Sequence, residues 1–231
     1  MSDREIDKGE AGDSGFIPAL RFHRLTPLFD AVAAVTVRDG AIKRLVLARA
    51  QLAGGEDVLD VGCGTGTLAV AAAKAAPGVR LTGLDADGAI LERARRRAAD
   101  ANLDITFDEA SATELPYTDA SFDVVLSTLF FHHLSDHAKH RAAAEVLRVL
   151  RPGGRAIVAD LGRPQDPLMR VAVRLTVQAL DGVETTALNV RGDLPSVLTA
   201  AGLREVAVRD RVRAPTGTYE VITASRAPDE H

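Results

Sequence analysis

Between Asp57 and Asp87 the sequence places carboxylates and glycines at spacings suited to holding a nucleoside. The run Asp60-Val61-Gly62-Cys63-Gly64-Thr65-Gly66-Thr67 carries three glycines at alternate positions. Such a loop turns tightly and lies against a ligand with no Cβ in the way. A helix predicted to begin at Thr67 would point unpaired N–H groups into the same place. A second acid, Asp85, follows Gly66 by 19 residues, and a carboxylate there can accept both hydroxyls of a ribose. The dinucleotide fingerprint requires glycine where Thr67 stands, which argues against NAD, and no Gly-Lys-Ser/Thr follows to make a phosphate-cradling loop.

Further along, Ser127-Thr128-Leu129-Phe130-Phe131-His132-His133-Leu134-Ser135-Asp136-His137 gathers three histidines. His133 and His137 have the spacing of a zinc helix, but Leu134 stands where the glutamate of such a site belongs. His132 and His133 are adjacent and are expected to point different ways, so no metal is expected. The single cysteine, Cys63, allows neither an intramolecular disulfide nor a thiolate metal cage. Two roles stay open for the histidine pair: orienting or deprotonating a substrate, or capping the loop.

The elements that must position these groups alternate regularly. Strands are expected at Val58–Val61, Val79–Leu84, Ile105–Phe107, Phe122–Thr128 and Ala156–Ala159. Helices are expected at Asp30–Val37, Ala41–Leu52, Thr67–Ala76, Asp87–Ala101 and Lys139–Leu150, the last ended by Arg151-Pro152-Gly153-Gly154. Strands alternating with helices of this length predict βαβ units and a doubly wound, mostly parallel sheet. The end differs: a short helix at Leu194–Ala201, then strands at Glu205–Val212 and Thr218–Ala224 joined over Ala214–Gly217, predict an antiparallel hairpin at the sheet edge.

Composition narrows the partners. The 231 residues are 46% hydrophobic and 26% charged, with no Trp, so the core is aliphatic and suits a buried parallel sheet. A net charge of −4 gives no pull toward nucleic acid, and Arg93 with Arg95, Arg96 and Arg97 reads as a solvated helix face. Residues 1–15 and 227–231 read as tails. The acid-rich start is unlike a signal peptide, and no apolar run approaches the roughly 20 residues of a membrane span, so a cytoplasmic location is expected. Nothing in the sequence indicates an oligomeric state.

With these motifs in hand, the chain resembles the class I S-adenosylmethionine-dependent methyltransferases, in the branch of the ubiquinone and menaquinone C-methyltransferases. Four stretches carry the resemblance: Val58–Gly66, Gly83–Asp87, Leu115–Val125 and Leu147–Gly154. The resemblance implies a seven-stranded Rossmann-like sheet and S-adenosyl-L-methionine as cofactor. It places Gly62, Gly64 and Gly66 under the adenosyl and methionyl groups, Asp60 near the ammonium and Asp85 on the ribose. Cys63, Ala86, Ala112 and Ser127 join this binding set. Ser111 fills a place where the family usually has an acid for the adenine amine, and so keeps a hydrogen-bond acceptor without the charge. His132 or His133 would stand near the transferred methyl group.

Residues 16–226 are then one domain: a helical lid segment over 16–53, a cofactor-binding core over 57–160 and a helical cap insertion over 162–190. Phe16–Phe29 is expected to be a mobile lid. In Pro167–Leu180, Leu168, Val171, Leu175 and Ala179 form a helical stripe, which either seals the sheet or covers the acceptor. Methyl transfer from an activated sulfonium asks mainly for an aligned, dry pocket, so the absence of a triad is no objection. The expected function is methyl transfer to a small-molecule acceptor of quinone, phenol, lipid or amine type. The alternatives are a methyltransferase acting on a macromolecule and a non-catalytic cofactor-binding regulator. Ser127-Thr128-Leu129-Phe130 lacks the Asn/Asp-Pro-Pro-Tyr pattern of base N-methylation.

Overall fold

A computed structural model describes residues 38–229, apart from the side chains of Leu180 and Asp181. The expected helix Asp30–Val37, the segment Phe16–Phe29 and the N-terminal tail therefore lie outside the described residues. The chain runs α1 (Asp39–Ala50), β1 (Asp57–Val61), α2 (Thr67–Ala75), β2 (Arg80–Asp85), α3 (Gly88–Asp100), β3 (Thr106–Glu109) and β4 (Phe122–Thr128). A 3₁₀ turn, Phe131–His133, leads into α4 (Asp136–Val149) and β5 (Leu150–Leu161). Three helices follow, α5 (Pro167–Leu175), α6 (Val177–Asp181) and α7 (Val183–Arg191), then α8 (Leu194–Ala200), β6 (Arg204–Ala214) and β7 (Gly217–Ser225).

The strands form one seven-stranded sheet in the order β3-β2-β1-β4-β5-β7-β6. The first five are parallel, and β7 inserts antiparallel between β5 and β6. The order reverses between β1 and β4, which opens a crevice at the carboxyl ends of those strands. Strand alternation divides the core into two layers. Val58, Leu81, Val124, Ile157 and Val221 pack against α1, α2 and α3, together with Val173 and Val177. Leu59, Val125, Val158 and Ile222 pack against α4, α7 and α8.

Charged groups lock the opposite, amino-terminal edge. Asp57 accepts from Arg80 at 2.5 and 2.8 Å and from Arg151 at 2.7 Å, while Asp123 accepts from Arg151 at 2.5 Å and from Asp57 N–H at 2.8 Å. The Arg80 guanidinium leads in holding the Asp57 carboxyl down at about 2, against its partial burial.

Four elements differ from the sequence expectation. Helix α4 starts three residues early because the Ser135 hydroxyl caps it, accepting from Ala138 N–H at 3.3 Å. Arg151–Gly154 is strand rather than turn: β5 begins at Leu150, paired with Phe122, and the register shift between Phe122 and Val124 absorbs the irregularity. The stripe in Pro167–Leu180 does not seal the sheet. Leu168 and Leu175 are 72% and 74% exposed, and the buried row is Met169, Val173 and Val177. That helix also breaks at Thr176, whose hydroxyl turns back to Ala172 O at 2.7 Å. Finally, α7 lies inside the expected helical insertion over 162–190, but its own bounds were not marked, because Thr185, Thr186 and Asn189 interrupt its apolar spacing.

Candidate active site

The glycine loop lies between β1 and α2 as expected. Gly62 N–H and Cys63 N–H both donate to Leu84 O, at 2.8 and 2.9 Å, so the loop folds over the end of β2. Gly62, Gly64 and Gly66 all have positive φ (69°, 53° and 71°), where a side chain would strain the backbone. Their surroundings differ. A methyl group at Gly62 would overlap the Phe130 ring, and one at Gly66 would press on Ala94 and Phe107. At Gly64 it would meet only open space, and this is the backbone position that a ligand can approach.

Asp85 braces the loop from β2. Its carboxylate accepts from Gly64 N–H at 2.9 Å and from Asp87 N–H at 3.1 Å. Burial nonetheless keeps its pKa above the ordinary carboxylate value. Ala86 is exposed beside it, and Asp87 caps α3. Glu109, at the end of β3, is in register with Asp85 and reaches Gly88, which adds an acid to this edge that the sequence did not single out.

Asp60 is the opposite case. It is 1% exposed, and neither carboxylate oxygen meets a hydrogen-bond donor among the described residues. Burial pushes its carboxyl up to about 7; Lys43 pulls against that, Asp85 adds to it, and the Ala69 N–H acts only weakly. Lys43 itself bonds Asp39 at 2.5 Å and the Thr67 hydroxyl. Cys63 is buried, and burial drives its thiol pKa up, with Asp60 and Asp85 reinforcing the shift, so it is not a nucleophile.

The remaining predicted residues fall around the same end of the sheet. The Ser127 hydroxyl is buried and donates to Val61 O at 2.9 Å, tying β4 to β1. Ala112 is buried, whereas Ser111 is exposed and its hydroxyl accepts from Thr113 N–H at 3.2 Å.

The histidines follow β4. Their rings do not point apart: within the 3₁₀ turn the His132 and His133 centroids are 4.0 Å apart, tilted by 42°. His132 is buried and its Nδ1 lies 2.7 Å from Oδ1 of Asp160, at the end of β5. Asp160 is 1% exposed. Its Oδ1 also accepts from Leu161 N–H at 2.6 Å, and its Oδ2 from Phe130 N–H at 3.0 Å. Burial opposes the charge, yet His132, the Leu161 N–H and His133, in that order, hold the carboxyl below its ordinary value. A carboxylate has no proton to give, so Nδ1 of His132 carries the hydrogen and Nε2 is the ring nitrogen facing away from Asp160. Asp160 was missed because nothing local in Ala159-Asp160-Leu161 marks it; only the fold brings it to the histidine. Among the described residues, no three His, Cys, Asp or Glu side chains gather closely enough to hold a metal ion.

Comparison with known proteins agrees with this architecture. Residues 58–154 match a family described as a methyltransferase domain. The chain is 34% identical over 172 residues to the demethylmenaquinone methyltransferase of Deinococcus radiodurans, covering 74% of this chain and 70% of that one. It is 38% identical over 158 residues to the 27-O-demethylrifamycin SV methyltransferase of Amycolatopsis mediterranei, covering 67% of this chain but only 52% of the other. Its fold matches that of the [4+2]-cyclase SpnF with a TM-score of 0.69 at 22% identity, over 89% of this chain and 93% of that one. The match at 34% identity over 70% of the Deinococcus protein decides the family, and the glycine loop and strand-end acid at the switch point of the sheet fit it. The chain belongs to the class I S-adenosylmethionine-dependent methyltransferases, in the ubiquinone/menaquinone C-methyltransferase-like branch, and S-adenosylmethionine is its cofactor.

Proposed function

We propose that this methyltransferase acts on a small-molecule acceptor with an ionisable hydroxyl, of the quinone or phenol type, and that His132 takes the acceptor's proton. The observation that carries the reading is the buried 2.7 Å contact of His132 Nδ1 with Asp160. It fixes one tautomer and stabilises the imidazolium formed when Nε2 accepts a proton, the logic of a histidine base oriented by a carboxylate. Loss of that proton makes the acceptor oxygen nucleophilic and, in a hydroquinone, enriches the neighbouring ring carbon, so one base serves O- and C-methylation alike. Of the two relatives, one is named for a demethylmenaquinone, a quinone, and the other for O-methylation of a rifamycin, so both names support a small-molecule acceptor and the first supports the quinone type.

The residues of the crevice fit the cofactor. Asp60, a buried carboxylate with no donor among the described residues, suits an ammonium group, which would compensate its burial. Asp85 has lone pairs left for ribose hydroxyls, and the open side of Gly64 admits the methionyl chain. The proposed cofactor site extends to Cys63, Ala86, Ser111, Ala112 and Ser127 at the same end of the sheet, with Gly62 and Gly66 shaping the turn. S-adenosylmethionine supplies a methyl group already activated on a sulfonium. Helices α5 to α7, in the 162–190 insertion, cover the acceptor side; α7 packs on the turn that carries the histidines.

Labelled S-adenosylmethionine, offered with a panel of hydroquinones, phenols, amines and lipid head groups, tests the reading. Label should enter the hydroxylated aromatics, and His132→Ala should cut turnover by about 10²–10⁴ while S-adenosylhomocysteine binding persists. Label confined to amines, or full turnover by His132→Ala, would overturn it.

A further inference from the structure

The carboxylate behind His132 has one more donor, and it comes from the cap. Asn189 on α7 is fully buried, and its Nδ2 donates to Asp160 Oδ1 at 3.2 Å. The Asn189 Oδ1 meets no donor among the described residues. A leucine, with the same branched side-chain skeleton, would avoid that burial cost, so packing alone does not account for the amide.

The rest of α7 is anchored to the same neighbourhood. Lys139, in the first turn of α4 and fully buried, donates to Leu134 O at 2.6 Å and to Thr185 O at 2.5 Å. The Thr185 carbonyl and the Asn189 side chain lie one helical turn apart, so α7 is held at two successive turns. One anchor ties it to the chain just after the histidines, the other to the carboxylate that orients His132. Thr186, between them, spends its hydroxyl within the helix, on Gly182 O at 2.7 Å and Val183 O at 3.4 Å.

We propose that Asn189 is a positioning residue for His132. Its amide holds Asp160 so that the carboxylate keeps the His132 Nδ1–H and with it one tautomer of the ring. The cap helix is thereby part of the machinery that sets the histidine, in addition to covering it. The catalytic consequence rests on the proposed role of His132; the hydrogen-bond relay itself does not.

The test is nitrogen-15 and proton NMR of the imidazole in the full chain bound to S-adenosylhomocysteine, with the His132 signals assigned by their loss in His132→Gln. The wild type should show a protected, downfield Nδ1–H and a single tautomer. Asn189→Leu should broaden or abolish that proton signal and bring in the second tautomer. Asn189→Ser, which removes the same donor with less bulk, should do likewise and serves if the leucine variant does not fold. Thr186→Val, which perturbs α7 without touching Asp160, should leave the signal in place. An unchanged Nδ1–H in either folded Asn189 variant, or an equal loss in Thr186→Val, would overturn the proposal. Because the readout needs no turnover, a His132 that proved dispensable for methyl transfer would leave it standing.

Discussion

Asp60 and Asp85 stand on neighbouring parallel strands at the same glycine loop, yet one has two backbone amides on its carboxylate and the other has no donor among the described residues. Asp60 pairs in register with Gly83, two residues before Asp85, so both acids reach the carboxyl edge of the sheet. The first braces nothing and is available for a cation; the second shapes the loop while keeping lone pairs for a ligand.

That difference has a pH signature. The Asp60 carboxyl, ordinarily near 3.8, is raised to about 7 in the fold, so between those values the folded protein holds a proton that the unfolded chain has lost. The cost of burying the charge is absent below about pH 4, grows up to about pH 7 and is complete above it. Asp60→Asn should therefore raise the apo Tm by several degrees at pH 8 and change it little at pH 4. An ammonium group beside Asp60 would favour the ionised form. S-adenosylhomocysteine binding below pH 7 should then release up to about one proton, seen as a buffer-dependent calorimetric heat that Asp60→Asn removes.

Asp85→Ala leaves the Gly64 and Asp87 amides without their carboxylate and removes the acid proposed for the ribose. Cofactor affinity should fall by about 1–3 kcal/mol, the usual cost of unpaired buried polar groups. Calorimetry on the folded variant decides; an unchanged Kd would place the ribose elsewhere.

Gly62→Ala forces a side chain onto a residue with φ of 69° and into the Phe130 ring. The expected loss is about 1–3 kcal/mol in denaturant unfolding, from the backbone conformation and the overlap together. Phe130→Ala in that background should recover only part of it, because the ring overlap is relieved while the Phe130 Cβ, 2.7 Å from the added methyl group, and the backbone conformation remain.

The phase of α5 is equally checkable. Leu168→Ser and Leu175→Ser, at exposed positions, should change stability by less than about 0.5 kcal/mol. Val173→Ala, at 1% exposure against Gly217 and Leu161, should cost about 1–2 kcal/mol through lost packing. Equal effects at the two kinds of position would mean that the helix is rotated.

What could be read from the sequence was what is local. Val58–Val61 and Phe122–Thr128 announce buried parallel strands, and the glycine spacing with Asp85 marks the crevice, because those patterns follow from backbone geometry alone. The helical period of Leu168, Val171 and Leu175 was real, but periodicity does not say which of two apolar rows meets the sheet; Met169, Val173 and Val177 are the buried row, with Val173 set against Gly217 beside Leu161. Asp160, Lys139 and Asn189 were illegible for a different reason. Each is an ordinary polar residue whose meaning lies in a partner 28, 46 or 29 positions away.

The most direct test of the account is a crystal structure with S-adenosylhomocysteine bound. The ammonium should lie on Asp60, the ribose hydroxyls on Asp85, and His132 Nε2 should face the side of the sulfur that carries the methyl group in S-adenosylmethionine, with Nδ1 still on Asp160. A sulfur whose open side faces away from His132, or a His132 ring turned off Asp160, would contradict it.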